Sequence, residues 1–171
     1  MKKDKQTYLE QIDSYYKGIL KSNQIIRISD TPEYLQKLGA KSLPIVMKQS
    51  TLAKCIREPK GSRSAHRLER SIIESLPIQI ANPILVVDEK ERKSFALISD
   101  YKDINGNNIL LALKLESSVQ NMIVNEIMSF YGRKNLGIYL RKHAPSEIHI
   151  IDNKKAKSLT SLLGLQLPTT L

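Results

Sequence analysis

A run of ten residues at the end of an apolar segment carries side chains suited to chemistry on phosphate. Residues 125–134 have the sequence NEIMSFYGRK. Its apolar members can anchor the run in a core while Ser129, Tyr131, Arg133 and Lys134 lie at the edge. Hydroxyl donors and fixed positive charges are the groups that hold phosphate oxygens. The run is therefore one side of a candidate anion-binding site.

An imidazole supplies a candidate base. Apolar residues at helical spacing between positions 68 and 76 predict a helix that starts at a cap on Ser64 and is closed by Pro77. His66 then lies in the first turn of that helix. It is surrounded in the sequence by three arginines, Arg63, Arg67 and Arg70. Fixed positive charges and a helix N-terminus disfavour the imidazolium, so we expect a neutral base; an exposed surface histidine is the alternative.

The chemistry open to these residues needs no cofactor. The sequence has no glycine-rich phosphate loop, no closely spaced His and Cys ligand set and no paired-carboxylate motif. We therefore expect no cofactor and no metal. The simplest remaining reaction on an anionic polymer is metal-independent cleavage of RNA through its own 2′-hydroxyl, which needs a base, cations and an acid.

Each part of that reaction has a candidate residue. His66 is the candidate base, and Arg133, with Arg63 or Lys134, would stabilise the charge on the phosphorane. Tyr131 would donate a hydrogen bond to the phosphate or act as the acid. Ser129 would bind the phosphate. The predicted catalytic set is thus His66, Ser129, Tyr131 and Arg133.

The net charge of +10 is concentrated in two blocks. Residues 48–70 and 133–157 each contain seven Lys or Arg against two acidic residues, whereas residues 88–116 contain five basic and six acidic ones. Such blocks predict an anionic partner, either RNA or a host nucleoprotein or nuclease complex. The candidate binding residues are Lys54, Arg57, Lys60, Arg63, Arg67, Arg70, Lys134, Arg141 and Lys142.

Length and composition indicate one domain. The chain has 171 residues, 41% of them hydrophobic, and no linker-like segment divides it. We expect residues 1–24 to form an added amphipathic helix in front of a core at 25–171. No apolar run is long enough to span a bilayer, which favours a cytoplasmic protein with no membrane partner. Cys55 lies among apolar residues and is predicted to be buried.

The order of elements predicts an α+β fold in which N-terminal helices pack on a mainly antiparallel sheet and a C-terminal helix follows. Before position 80 four helices are predicted. The first is 4–21, with its tyrosines facing the core, and the second opens at a cap in 30–33, with Pro32 in its first turn, and runs through Leu38. A short helix carrying Cys55 and a helix at 64–77 follow. The predicted strands are 25–29 and 43–48. Three antiparallel strands follow at 84–88, 94–101 and 109–115, with an Asn-Gly reversal between the last two. A helix around 136–143, a strand at 147–151 and a basic helix at 153–163 complete the order.

Residues 117–131 fit either a helix or a strand. We favour a short helix to Val124 followed by a strand. On that strand, alternation would place Asn125, Ile127, Ser129 and Tyr131 on one face and Glu126, Met128 and Phe130 on the other.

The motifs together resemble a phage family. A His at a helix start, NPILVV, the hairpins around YKDINGNNI, NEIMSFYGRK and EIHIIDNKKAKSL occur in the order found in the MuF C-terminal domain of phage polyvalent and toxin-like proteins, over roughly residues 28–167. The resemblance implies a relation to the barnase, colicin and RelE-type ribonucleases, with the site on the face of the sheet. It also implies that His66, Ser129 and Tyr131 are the positions of interest.

Two functions remain open. The protein could be a nucleic-acid-interacting ribonuclease-like protein that cleaves RNA without metal. Domains of this family usually form part of larger phage proteins, and a short, basic chain also fits an inhibitor of a host defence nuclease, similar to an anti-CRISPR protein. Such an inhibitor would bind the nuclease or its nucleic-acid groove and use the fold without catalysis. A structural phage protein is a third, less favoured interpretation.

Overall fold

The computed structural model describes residues 6–57 and 66–166, which form an α+β fold. The described helices are α1 (Tyr8–Tyr16), α2 (Glu33–Lys37), α3 (Gln49–Ile56), α4 (Arg70–Glu74), α5 (Leu76–Ala81), α6 (Leu136–Arg141) and α7 (Asn153–Leu163). The strands are β1 (Ile26–Asp30), β2 (Pro44–Met47), β3 (Leu85–Glu89), β4 (Ser94–Lys102), β5 (Asn108–Val119), β6 (Met122–Gly132) and β7 (Ile148–Ile150). None of the described helices is long and apolar enough to cross a membrane.

The strands form one seven-stranded sheet in the order β1-β2-β6-β5-β4-β3-β7. The β2–β6 pair is parallel, and the other neighbouring pairs are antiparallel. This confirms the predicted α+β class with a mainly antiparallel sheet. Two layers of helices cover the sheet. We call the face covered by α1–α5 the N-terminal face and the one covered by α6 and α7 the C-terminal face.

The N-terminal face carries the larger core. Leu35, Leu52 and Ile73 are fully buried there, and Cys55 is buried as predicted. Burial raises the pKa of the Cys55 thiol to about 11. The predicted first helix is shorter than expected, because a capping box between Thr7 and Glu10 starts it at Tyr8. Its tyrosines face the core as predicted, and the Tyr8 hydroxyl donates to the carbonyl of Ile73 at 2.5 Å.

The predicted helix between 117 and 124 is wrong. β5 continues to Val119, turns through Gln120 and Asn121, and returns as β6, so the two strands form a long hairpin. Both turn residues have positive φ, 47° and 63°, which is the conformation of a two-residue type I′ turn. The turn contains no glycine that would have marked it in the sequence, and the apolar residues around it have helical spacing. Backbone pairing with β5 nevertheless makes this segment a strand.

A β-bulge at Met128 changes the expected alternation of β6. Ile127 pairs with Leu113 and Ser129 pairs with Ala112, so Met128 has no opposite residue. Ile127 and Phe130 are consequently both buried in the N-terminal face. Ser129 and Tyr131 lie on the C-terminal face, where Tyr131 packs against the core. The prediction that Ile127 shares a face with Ser129 and Tyr131 is therefore wrong.

The predicted helix around His66 is also different. The described residues 66–69 are not helical, α4 begins only at Arg70, and Ser64 lies outside the described residues. Arg67 has a φ of 47°, which no α-helix accommodates. Pro77 does not close a helix but lies in the first turn of α5, where a missing N–H costs nothing.

Candidate functional site

The second half of β6 is flanked by a helix where a neighbouring strand has ended. β2 pairs with β6 only as far as Val46 and Glu126. Beyond that point α3 packs against β6, and Lys54 Nζ donates to the carbonyl of Met128 at 3.3 Å. Cys55 and Phe130 are both buried in the core of the N-terminal face. The end of α3 is thereby tied to the strand that carries the candidate catalytic residues.

His66 is held by the end of α3. The backbone amides of His66, Arg67 and Leu68 donate to the carbonyls of Lys54, Arg57 and Cys55, at 3.2, 3.1 and 2.8 Å. Leu68 is buried in the N-terminal face and anchors the segment. The backbone of α3 therefore positions His66, and the imidazole extends towards β6.

The structure brings His66 together with Ser129 and Tyr131. The imidazole Nε2 lies 3.1 Å from Ser129 Oγ. The imidazole also stacks on the Tyr131 ring, with centroids 5.0 Å apart and planes inclined by 27°. With its proton on Nδ1, the neutral ring accepts a hydrogen bond from the Ser129 hydroxyl at Nε2. These three side chains, from two distant parts of the sequence, form what we call the His66 cluster.

The environment of His66 favours the neutral ring. Half-burial lowers its pKa most, and the positive charges of Lys54 and Arg57 lower it further. The direction agrees with the sequence prediction, but the cause differs, because His66 is not at a helix N-terminus. A neutral imidazole at physiological pH is available as a proton acceptor.

Arg133 adds a guanidinium beside this cluster. Its Nη1 lies 3.5 Å from the Tyr131 hydroxyl, and its Cζ lies 4.8 Å from the centroid of the Tyr139 ring. Tyr139 in turn donates to Glu89 Oε1 at 2.7 Å, and its pKa is raised by burial and by that carboxylate. Arg133 Nε is buried and has no hydrogen-bond partner among the described residues. The guanidinium is thus held in place with one donor uncommitted.

A cavity of about 560 Å³ opens next to Arg133. Tyr131 and Arg133 belong to its wall, so it adjoins the His66 cluster. We call it the Arg133 cavity. Its other lining residues come from the segment after β3, from the sheet and from α6 and the residues that follow: Glu89, Lys90, Glu91, Arg92, Ala96, Leu110, Ala112, Tyr139, Lys142, His143 and Glu147.

Comparison with known families gives one match. The family described as the phage MuF-C-terminal domain matches residues 57–158, which is more than half of the chain. The chain belongs to this family. The MuF C-terminal match includes the His66 cluster, Arg133 and the residues of the Arg133 cavity, whereas α1, α2, α3, β1 and β2 precede it. No curated protein and no solved structure matches the chain.

The other predicted binding residues lie at several places in the structure. Lys54 and Arg57 are next to His66, Lys142 lines the Arg133 cavity, and Arg67 and Lys134 are exposed. Lys60 and Arg63 lie outside the described residues.

Two of the predicted binding residues are committed to contacts within the protein. Arg70 forms ion pairs with Asp13 and Glu74 and stacks on Tyr16, which joins α4 to α1. Arg141 donates to the carbonyl of Leu163 in α7 at 3.3 Å.

Sequence reasoning missed the far wall of the site. Tyr139 contacts the Arg133 guanidinium through its ring and is itself hydrogen-bonded to Glu89. Lys90, Arg92 and His143 line the Arg133 cavity. Tyr139 has the spacing of an ordinary helix core residue, and Lys90 and Arg92 lie in a charged segment typical of a solvated turn. No local signal distinguishes them, because the cavity is created by contacts between segments far apart in the sequence.

Proposed function

We propose that this protein cleaves RNA without a metal ion, by transesterification through the 2′-hydroxyl. The observation that supports the proposal most strongly is the contact of His66 Nε2 with Ser129 Oγ at 3.1 Å, in a ring that is also stacked on Tyr131. A base, hydroxyl donors and a guanidinium thus converge at one place on the C-terminal face.

His66 acts as the base. Its lowered pKa keeps Nε2 unprotonated, so it can accept the proton of the 2′-hydroxyl. The 2′-oxygen then attacks the adjacent phosphorus. The Ser129 hydroxyl, which contacts Nε2 in the absence of RNA, turns to the phosphate when the 2′-hydroxyl takes its place.

Arg133 and Tyr131 act on the phosphate. Negative charge builds on the non-bridging oxygens of the phosphorane, and a pre-positioned guanidinium stabilises it without reorganisation. Arg133 Nη1, beside the Tyr131 hydroxyl, supplies a donor for that purpose. Tyr131, 3.5 Å from Arg133 Nη1, donates to the phosphate and, as the acid, protonates the leaving 5′-oxygen. The P–O5′ bond breaks, and the products are a 2′,3′-cyclic phosphate and a 5′-hydroxyl.

Cleavage of RNA in the presence of a chelator tests the proposal. Purified protein should cut single-stranded RNA in EDTA and leave cyclic phosphate ends. His66→Ala and Tyr131→Phe should each lower the rate by about 10²–10⁴-fold, the usual contribution of general acid–base groups. His149→Ala is the matched control, since His149 lies on edge strand β7 and should leave cleavage unchanged. RNA that stays intact at a large excess of protein would overturn the proposal.

A non-catalytic inhibitor of a host defence nuclease is the second candidate. The exposed Lys134, together with the net charge of +10, favours it, because these charges can compete for a nucleic-acid groove. The catalytic substitutions would then have little effect, whereas charge reversal at Arg133 would abolish binding to the nuclease complex. A pull-down from host lysate, with half of the sample treated with RNase, separates a protein partner from an RNA partner.

A further inference from the structure

We propose that the Arg133 cavity binds a phosphate-bearing nucleotide of the RNA next to the scissile phosphate. This inference rests on the proposed function and extends it to a second subsite. The cavity measures about 560 Å³, within the range of about 300–1,000 Å³ that small-molecule sites occupy.

Small side chains give the cavity its depth. Ala96 of β4 pairs with Ala112 of β5, so two methyl groups face each other across the floor. The next paired positions on the same face carry the larger Ile98 and Leu110, which are buried in the core. The floor is therefore apolar and open where the alanines lie, which suits the flat face of a base or a ribose.

The charges of the lining favour an anion. Three carboxylates line it. Glu89 accepts hydrogen bonds from Tyr139 and Ser94, Glu147 accepts one from the amide of Ala144 at 2.8 Å, and Glu91 is the third. The lining cations outnumber these carboxylates by one, and they are Lys90, Arg92, Arg133 and Lys142.

The buried Arg133 Nε is the most specific sign of a ligand. A buried donor left without an acceptor costs about 1–3 kcal/mol, and this one belongs to a residue that lines the cavity. A phosphate oxygen is the acceptor that best fits a guanidinium. Tyr139 and His143, at 4.9 Å between ring centroids, add aromatic surface on which a base can stack.

The position of the cavity connects it to the reaction. Tyr131 contacts His66 through its ring and lines the cavity as well. Arg133 lies between the Tyr131 hydroxyl and the Tyr139 ring. A nucleotide in the cavity would therefore place the next phosphate of the same strand at the His66 cluster.

Binding of an oligonucleotide that cannot be cleaved tests the subsite separately from cleavage. A deoxytrinucleotide lacks the 2′-hydroxyl, so its dissociation constant, measured by calorimetry, does not depend on catalysis. Arg92→Ala and Lys142→Ala should each weaken binding by about threefold to tenfold, and each should reduce the salt slope by about one. Lys21→Ala, an exposed lysine outside the lining, is the matched control and should change neither.

Three results would overturn the inference. Equal affinities of Arg92→Ala, Lys142→Ala and Lys21→Ala would show that the cavity does not hold the strand, even if RNA is cleaved. Binding of adenosine monophosphate as tight as that of the trinucleotide, with the same dependence on Arg92 and Lys142, would assign the cavity to a free nucleotide. Equal competition by inorganic phosphate would overturn it as well, because the cavity would then be a site for a bare anion and not for a nucleotide. Loss of RNA cleavage with intact trinucleotide binding would contradict only the proposed function.

Discussion

At the scale of single residues, the surroundings of His66 favour the neutral form of its ring. The imidazole is half-buried against β6, and the nearest charges that act on it are Lys54 and Arg57. Burial and like charge both oppose protonation, so the base form persists to a lower pH than in a free histidine. The acid limb of a pH–rate profile should consequently lie below about 6.5, the ordinary pKa of histidine.

Removing the charge of Lys54 should make His66 easier to protonate. In Lys54→Gln the pKa of His66 should rise, because one of the charges that lowers it is lost. An NMR titration of the imidazole measures the shift directly, and the acid limb of RNA cleavage should move up with it. Lys21→Gln is the control, because it removes an equal charge from an exposed residue that is not among the groups lowering the His66 pKa. An unchanged His66 titration in Lys54→Gln would contradict this account.

At the scale of elements, the turn between β4 and β5 packs against the end of β6. Asp103 Oδ1 accepts from the amides of Asn105 and Asn107, each at 2.9 Å, which fixes the turn. A Cβ added to Gly132 would overlap the Asp103 carboxylate. Glycine is required at this position for space, so that the turn can approach the strand just before Arg133.

Gly132→Ala should therefore destabilise the protein. The methyl group forces Asp103 away and disturbs its turn. The free energy of unfolding should fall by about 1–3 kcal/mol, which is typical of overpacking. Denaturant-induced unfolding measures this free energy.

Gly137→Ala is the matched control. An added Cβ there meets its nearest atom, Arg141 Nη1, at 3.7 Å, and alanine gains about 1 kcal/mol over glycine inside a helix. Equal effects of the two substitutions would show that the contact with Asp103 is unimportant.

At the scale of the whole molecule, the described residues of the two basic blocks lie at several different places. Arg70 of the first block forms ion pairs with Asp13 and Glu74. Lys90 and Arg92, from the nearly neutral middle of the chain, instead join Lys142 of the second block around the Arg133 cavity. The candidate anion surface is thus assembled from several segments.

RNA binding to the whole protein should depend steeply on salt. Between about 50 mM and 200 mM salt the affinity should fall with a log–log slope set by the number of phosphate contacts. Arg133→Gln should reduce that slope by about one. Arg27→Gln is the control, because Arg27 is paired with Asp30 on β1. Affinity that does not change over this range would contradict an electrostatic mode of binding.

Much of the architecture follows from local sequence patterns. The period of apolar residues and the Asn105-Gly106 reversal place the central strands correctly, and the basic helix at 153–163 has the bounds that were predicted. The run at 125–134 and the segment of His66 were identified as the parts of a candidate site from their residue types. Periodicity, turn residues and side-chain chemistry act over a few neighbouring residues, so one sequence suffices to recognise them.

Tertiary structure decided which of these parts meet. Strand pairing along β5 overrode the helical spacing of residues 117–124, and the bulge at Met128 placed Ser129 and Tyr131 on the C-terminal face. Backbone hydrogen bonds to the end of α3 held His66 there without a helix. Tyr139 and Glu89 joined Arg133 from other segments. Each outcome depends on backbone donors or buried groups finding partners far away in the chain, and local spacing contains no information about such pairings.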